Sequence, residues 1–542
     1  MRTIRSPRLL AAAACLLFLL TGLPFVPLLG IQNDEALFAA ALLPPRGEIY
    51  TLHVGTHALP LMLMSYVGTL KSLLYRPLMR WFGTGVWATR VPMLLAGAAS
   101  IWLFYGLMRR VAGERAALVA TGLLASDCLY LLSACFDWGP VALQHLLLVA
   151  GVLLLVRFWQ ERREWMLAAG FFLFGLAMWD KALAVWSLSA LGVATLVVFP
   201  RQLFSTFSAR RLGVAVLAFS VGALPLIWYN IDTNGATYRG TVAYETNNFS
   251  HKLLILRITA NGSAGFGFFT NDDAQTPRPH APRTVLELES NAVSRLLGDP
   301  RSTWMLYGFF LALILLPWAG RPERRAVLFC LIAMAVAWLQ MAVAVNGGGS
   351  VHHAILLWPV PQAIMGISLA AASRRLGKAS VPALAGLLIV LMGSSLAVTD
   401  EYYTVLARNG GALNWSDAIF PLSNSLKDVR ASIFAMDWDI LDNLRLLDRG
   451  RLNLFVGTDP VSKTDWSPED REAVKQMVAS PDHVFVDHVE GREFFTGQNA
   501  HLVEWAESHG YRQKKLSTID DSCGRPTFEV YQFEPAGVDA RR

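Results

Sequence analysis

AALVATGLLASDCLYLLSACFDWGPVALQHLLLVAGVLLLV, residues 116–156, is the stretch that decides the fold. It contains two apolar runs, 116–136 and 138–156, that meet at Asp137. Each is about the length of a helix that crosses the roughly 30 Å hydrocarbon core of a bilayer. Arg109, Arg110 and Arg115 precede the pair and Arg157, Arg162 and Arg163 follow it, while the turn between the runs has neither Lys nor Arg. This is the charge pattern of a hairpin that crosses a membrane twice and keeps both open ends in the cytoplasm.

Nine further apolar runs lie at 9–30, 86–108, 165–180, 182–199, 212–231, 303–319, 326–345, 353–372 and 380–398. With a cytoplasmic N-terminus, the other inner segments also hold three basic residues each: Arg2, Arg5, Arg8; Arg201, Arg210, Arg211; Arg321, Arg324, Arg325; and Arg374, Arg375, Lys378. The short outer turns hold Lys181 after Asp180 and no Lys or Arg from Asn346 to His353. The expectation is a polytopic α-helical membrane protein of about 11 spans, N-terminus inside and C-terminus outside. Run 9–30 exceeds the apolar stretch of a secretory signal and reads as a retained anchor.

The 542 residues are 54% hydrophobic and 16% charged, against about 25% charged in an ordinary soluble domain. That excludes a soluble single-domain enzyme and a disordered chain. The net charge of +6 is used in fixing topology and does not imply nucleic acid. Cys15, Cys128, Cys135, Cys330 and Cys523 show no metal-ligand spacing and no disulfide framework.

Two outer loops are long. Residues 31–85 contain an apolar piece, Ala58 to Leu70, ended by Lys71 and followed by Arg76 and Arg80; it is too short to span and is expected as a helix lying in the interface. Residues 232–302 are expected as a loop with short helices. The chain divides into a membrane domain, 1–399, and a small extracytoplasmic α/β domain, 400–542. Strands are expected at 452–456, 483–489 and 528–533, and helices at 437–448, 468–479 and 498–509, with Ser467 as N-cap and Pro468 at the first helical position.

Ionisable residues gather at the outer ends of the runs: Asp34, Glu35, Arg90, Asp137, Lys181, His352 and His353. Each also has a plain structural reading. Asn33-Asp34 suits a helix cap, Asp137 a turn, Arg90 and Lys181 interfacial anchors, and the His pair a polar surface. Adjacent helical residues point about 100° apart, so at most one of Asp34 and Glu35 serves as a base. Asp127 is the one acid deep in a run, with no evident partner. Two carboxylates with a His would also serve a divalent cation.

In order, these features are Asp34-Glu35 after the first run, Trp87-Ala-Thr-Arg90-Val-Pro92 entering the second, Asp137 between the third and fourth, and Gly175-Leu-Ala-Met-Trp-Asp-Lys181 closing the fifth. The set resembles the GT-C glycosyltransferases, and within them the protein O-mannosyltransferase and aminoarabinose (lipid A) transferase branch, glycosyltransferase families 39 and 83. His352-His353 before Trp358-Pro359-Val-Pro361 is similar to a late segment of that family. The resemblance is good over the first six runs and loose over the rest. It implies transfer of a sugar, with inversion, from a polyprenyl-phosphate donor to an extracytoplasmic lipid, glycan or protein acceptor in a bacterial plasma membrane. It further implies that the family's two acids fall on Asp34 and Asp137, expected as catalytic, and its span-entry Arg on Arg90; Glu35, Arg90, Lys181, His352 and His353 are expected as substrate contacts. Where the aminoarabinose branch has Lys-Pro-Pro, this chain has His57-Ala-Leu-Pro60, so His57, Lys71 or Lys181 is expected to meet the carrier phosphate. A secondary transporter is disfavoured by the lack of an internal repeat, and a membrane-anchored binding protein by so many runs sharing one polar end.

Overall fold

The computed structural model describes residues 7–536, except 207, 242, 246, 273–276, 346 and 464. Arg2, Arg5 and Asn346 therefore lie outside the described residues. The chain is mostly helical, and helices occupy all eleven apolar runs. Five helical stretches are long and apolar enough to cross a membrane, and up to eight if each bent pair is one span. The difference from eleven has three sources. Glu164–Asp180 and Met305–Ile314 are only 17 and 10 residues long, and Val351–Asn409 counts once although Gly377 interrupts it with non-helical backbone.

Two runs expected as single helices, 116–136 and 212–231, are bent, and a third bend follows the run 182–199. Glu114–Ala125 and Cys128–Cys135 meet at 59°, Ala184–Val198 and Pro200–Thr206 at 105°, and Ala209–Gly222 and Leu224–Asp232 at 73°. The first bend has its cause at Asp127, whose carboxylate accepts the Tyr130 N–H at 2.9 Å and caps the second helix. Its other oxygen accepts from Trp358 Nε1 at 2.8 Å and Gln362 Nε2 at 3.1 Å. The buried acid thus has its hydrogen-bond partners, supplied by a segment more than two hundred residues downstream.

The interface helix expected at Ala58–Leu70 is a strand. β1 (Tyr50–Val54), β2 (His57–Met64) and β3 (Val67–Gly68) form an antiparallel sheet in that order. Pro60 would break a helix interior but is tolerated in this short ladder, opposite Thr51. The amphipathic helix begins later, at Leu70–Phe82. Lys71, Ser72 and Tyr75 are buried on one face, while Leu73, Leu74, Trp81 and Phe82 are exposed. In the second long loop, short helices form at Ala236–Thr241, Phe249–Ala260 and Val285–Leu297.

The helix Ser380–Asn409 runs across the expected boundary at 399/400. Beyond it, β4 (Ile433–Ala435), β5 (Leu454–Val456), β6 (Val484–His488), β7 (Tyr511–Asp520) and β8 (Pro526–Pro535) build a sheet in the order β5-β4-β6-β8-β7. β4 pairs in parallel with β5 and β6, and β8 is antiparallel to β6 and β7. Helices Leu441–Leu447, Pro468–Ala479 and Gln498–Ser508 connect the strands. Ser467 and Asp470 form a reciprocal capping box at the start of the second. β4 and β7 carry no clear alternation and were not expected.

Candidate active site

Gln32, not Asn33 or Asp34, caps the helix Asn33–Ala40: its Oε1 accepts the Asp34 N–H at 2.8 Å. That leaves the Asp34 carboxylate free of capping. The next residue points elsewhere. Glu35 accepts from Arg90 Nε at 2.8 Å, Arg90 Nη2 at 2.9 Å and Thr89 Oγ1 at 3.1 Å. The remaining Arg90 N–H groups go to the carbonyls of Val26 at 2.6 Å, Leu29 at 3.1 Å and Gly30 at 2.6 Å. All five guanidinium donors are thereby used, and the side chain is fully buried. This corrects the expectation for both residues. Arg90 and Glu35 tie the end of the first run to the helix that carries Asp34: Arg90 has no donor left for a phosphate, and the Glu35 carboxylate is buried against Arg90 and Thr89.

The turn before helix Val141–Glu161 is the second wall. Asp137 adopts φ +46°, a left-handed conformation that Asp tolerates better than most residues, and its carboxylate receives the Lys71 ammonium in a buried ion pair. Gly139, at φ +68°, lies under the His352 ring, and a Cβ there would come within 2.6 Å of it. The Gly139 carbonyl accepts from Lys181 Nζ at 2.8 Å, and its N–H faces the Asp34 carboxylate. Lys181 is itself held by a backbone bridge to Val67, so the first-loop sheet positions it. His352 stacks edge-on against Trp138 and lies beside His353. Ser350 Oγ and His352 Nδ1 share a 2.9 Å hydrogen bond, and His353 Nδ1 is buried without a hydrogen-bond partner.

Asp34, Lys71, Asp137 and Lys181 are thus gathered, with His352 and His353 beside them. His57 is not among them. It sits exposed at the start of β2, opposite Val54, whereas Lys71 and Lys181 are buried. Asp180 was passed over in the sequence, yet it is buried with an unpartnered Oδ2, and its charge acts on both lysines. Its signal was its position beside Lys181.

Electrostatics follow from burial. Desolvation pushes the Asp34 carboxyl above its ordinary range, and the charges of Lys181 and Lys71 with the Gly139 N–H pull it back. Burial lowers Lys181 to about 8 against the opposing charges of Asp34 and Asp180. Burial acts on Lys71 in the same downward direction.

The C-terminal sheet also reaches this site, which no local pattern indicated. The Asn33 amide, oriented by its hydrogen bonds, donates to Asp442 Oδ2 at 2.9 Å and accepts from Trp438 Nε1 at 3.3 Å. Asp439, at φ +72°, is buried, is bonded by Asn443 Nδ2 at 2.9 Å and faces the Asn33 N–H. Burial drives its carboxyl well above the usual range.

A divalent cation does not fit the acids at Asp34. Their neighbours are two ammonium groups, and no set of three ligating side chains forms there among the described residues. Such a set forms at Asp437, Asp487 and His488 in the C-terminal sheet. Even there, Asp437 already accepts from Trp438 N, Phe495 N, His488 Nδ1 and Phe494 N, which occupies its lone pairs.

Residues 70–228, which include Lys71, Asp137 and Lys181, match the family model of dolichyl-phosphate-mannose-protein mannosyltransferase. No curated protein matches the chain significantly by sequence. Among solved structures, apo ArnT from Cupriavidus metallidurans aligns over 96% of this chain and 97% of its own, with a TM-score of 0.56 and 14% identity. The chain has the GT-C glycosyltransferase fold. The GT-C likeness extends to ArnT bound to undecaprenyl phosphate, at a TM-score of 0.55, 14% identity and the same 96% and 97% coverage. It extends also to the Archaeoglobus fulgidus oligosaccharyltransferase AglB in complex with an inhibitory peptide and a dolichol-phosphate, at a TM-score of 0.50 and 13% identity over 98% of this chain and 74% of AglB. The apolar helices and the shared fold are those of a multi-pass helical membrane protein.

Proposed function

We propose that the protein is a membrane glycosyltransferase that moves a sugar, with inversion, from a polyprenyl-phosphate donor to an extracytoplasmic acceptor. The observation that carries this reading is the buried meeting of Asp34 with Lys71 and Lys181 in a GT-C fold. Inverting transfer needs one carboxylate to take the acceptor proton and cations to hold the departing phosphate. Asp34, free of capping, is the base. Lys181 and Lys71 stabilise the phosphate oxygens by charge-assisted hydrogen bonds. Asp137 holds Lys71 in place, and His352 and His353 line the acceptor side. The lipid-phosphate complexes of ArnT and AglB support a lipid-linked donor.

The same reading places eleven spans in a plasma membrane with the N-terminus inside and residues 400–542 outside. The three-per-segment basic clusters support that orientation. The test is to incubate the purified protein with a panel of polyprenyl-phosphate sugars and follow loss of the sugar. Release from one donor by the wild type, absent in Asp34→Asn, is expected. Release from none, or equal release by the variant, overturns the reading.

A further inference from the structure

We propose that the cavity between the helix Leu70–Phe82 and Arg449 binds the phosphate headgroup of an anionic lipid, independently of the transfer reaction. The cavity holds about 220 Å³, and its floor is apolar, formed by Ala39, Ala40, Leu42, Leu43 and Met79. Its rim carries Arg76, Arg80 and Arg449 and no acidic residue. None of the three guanidinium groups makes an ion pair or side-chain hydrogen bond among the described residues. Unpaired arginines that share a rim repel one another, and a phosphate removes that repulsion through paired N–H···O contacts.

Two further features point to a lipid. On the helix, Arg76 and Arg80 lie about 140° and 180° around from the buried Lys71. They therefore stand between the face packed on the protein and the exposed apolar face of Leu73, Leu74 and Trp81. Trp81 and Phe82 are 73% and 74% exposed, as aromatic residues at a membrane interface are. A headgroup at the arginines would leave its chains running along that apolar face into the bilayer. Arg449 completes the rim from the C-terminal part: its guanidinium lies 2.8 Å from where a Cβ on Gly83 would stand, so it packs closely against the end of the helix. Gly83 has φ +77°, which favours glycine. The lipid would thus bridge the first loop and the C-terminal sheet.

The test is native mass spectrometry of the full-length protein titrated with phosphatidic acid, phosphatidylcholine or inorganic phosphate. Arg76→Gln with Arg449→Gln should weaken phosphatidic acid binding at least tenfold without changing that of phosphatidylcholine, and Arg80→Gln alone should weaken it measurably. All three arginines are exposed, and an unchanged melting temperature verifies that the variants fold. Equal phosphatidic acid binding by wild type and variants overturns the proposal. Displacement of phosphatidic acid by an equal concentration of inorganic phosphate overturns the assignment to a lipid.

Discussion

Lys71, at the start of one loop helix, and Asp137, in the turn before helix Val141–Glu161, form an ion pair that is almost wholly buried. Two charges taken out of water depend on each other, and removing one typically costs about 3–5 kcal/mol. Lys71→Gln is therefore expected to lower the melting temperature sharply. Lys71→Met combined with Asp137→Leu should recover most of the stability and none of the transfer activity. Recovery of activity in the double variant would show that the pair is only structural.

Asp34→Asn keeps the shape of the side chain and removes its basicity. The melting temperature should stay within a few degrees, while turnover should fall about 10²–10⁴-fold, the usual contribution of a general base. Glu35→Gln, by contrast, should destabilise the protein by leaving Arg90 with a weaker partner.

Arg90 donates all its hydrogen bonds within the protein. Arg90→Lys keeps the charge but loses the fork, and a loss of a few kcal/mol is expected. Activity per folded molecule should then fall through kcat, with KM for the donor unchanged, because Arg90 moves Asp34 and does not touch the phosphate. A selective rise in donor KM would refute that assignment.

Activity should show two pH limits. Asp34 acts as a base only above its raised pKa, which gives an acid limb at higher pH than an ordinary aspartate would. Lys181 loses its proton as pH rises through about 8, so phosphate stabilisation declines there. A pH–rate profile should bend down near 8, and Lys181→Arg, whose charge persists, should move that limb upward.

In the C-terminal sheet, burial and the charge of Asp437 raise Asp487 to about 8. Above about pH 4 the unfolded chain has lost this proton while the folded protein keeps it, so stability falls as pH rises from about 4 through about 8 and is then level. The effect is on the order of a few kcal/mol, because each unit is worth about 1.4 kcal/mol. Asp487→Asn should flatten the dependence of melting temperature on pH and gain most near pH 8.

Several features were legible because they are local. The positions of the apolar helices follow from runs of Leu, Ala and Val, and the N-cap at Ser467 from Ser467-Pro468 at the start of the helix. That Asp34 and Glu35 face apart follows from helical geometry alone. Other features were not legible because their partners are remote. Ala58–Leu70 reads as an interface helix until Tyr50–Val54 is seen to pair with His57–Met64, and Asp127 had no visible partner because Trp358 supplies it.

By itself the sequence determined an apolar, multi-helix chain with its acids and bases collected at the ends of those helices, since hydropathy and charge add up residue by residue along the chain. The tertiary structure alone decided which of those charges meet. It assigned Arg90 to Glu35, Lys71 to Asp137 and Lys181 to the Gly139 carbonyl, left Asp34 open, and brought Asp439 and Asp442 against Asn33. Buried charges pair through contacts a few ångströms long between segments far apart in the chain, and no one-dimensional pattern records that distance.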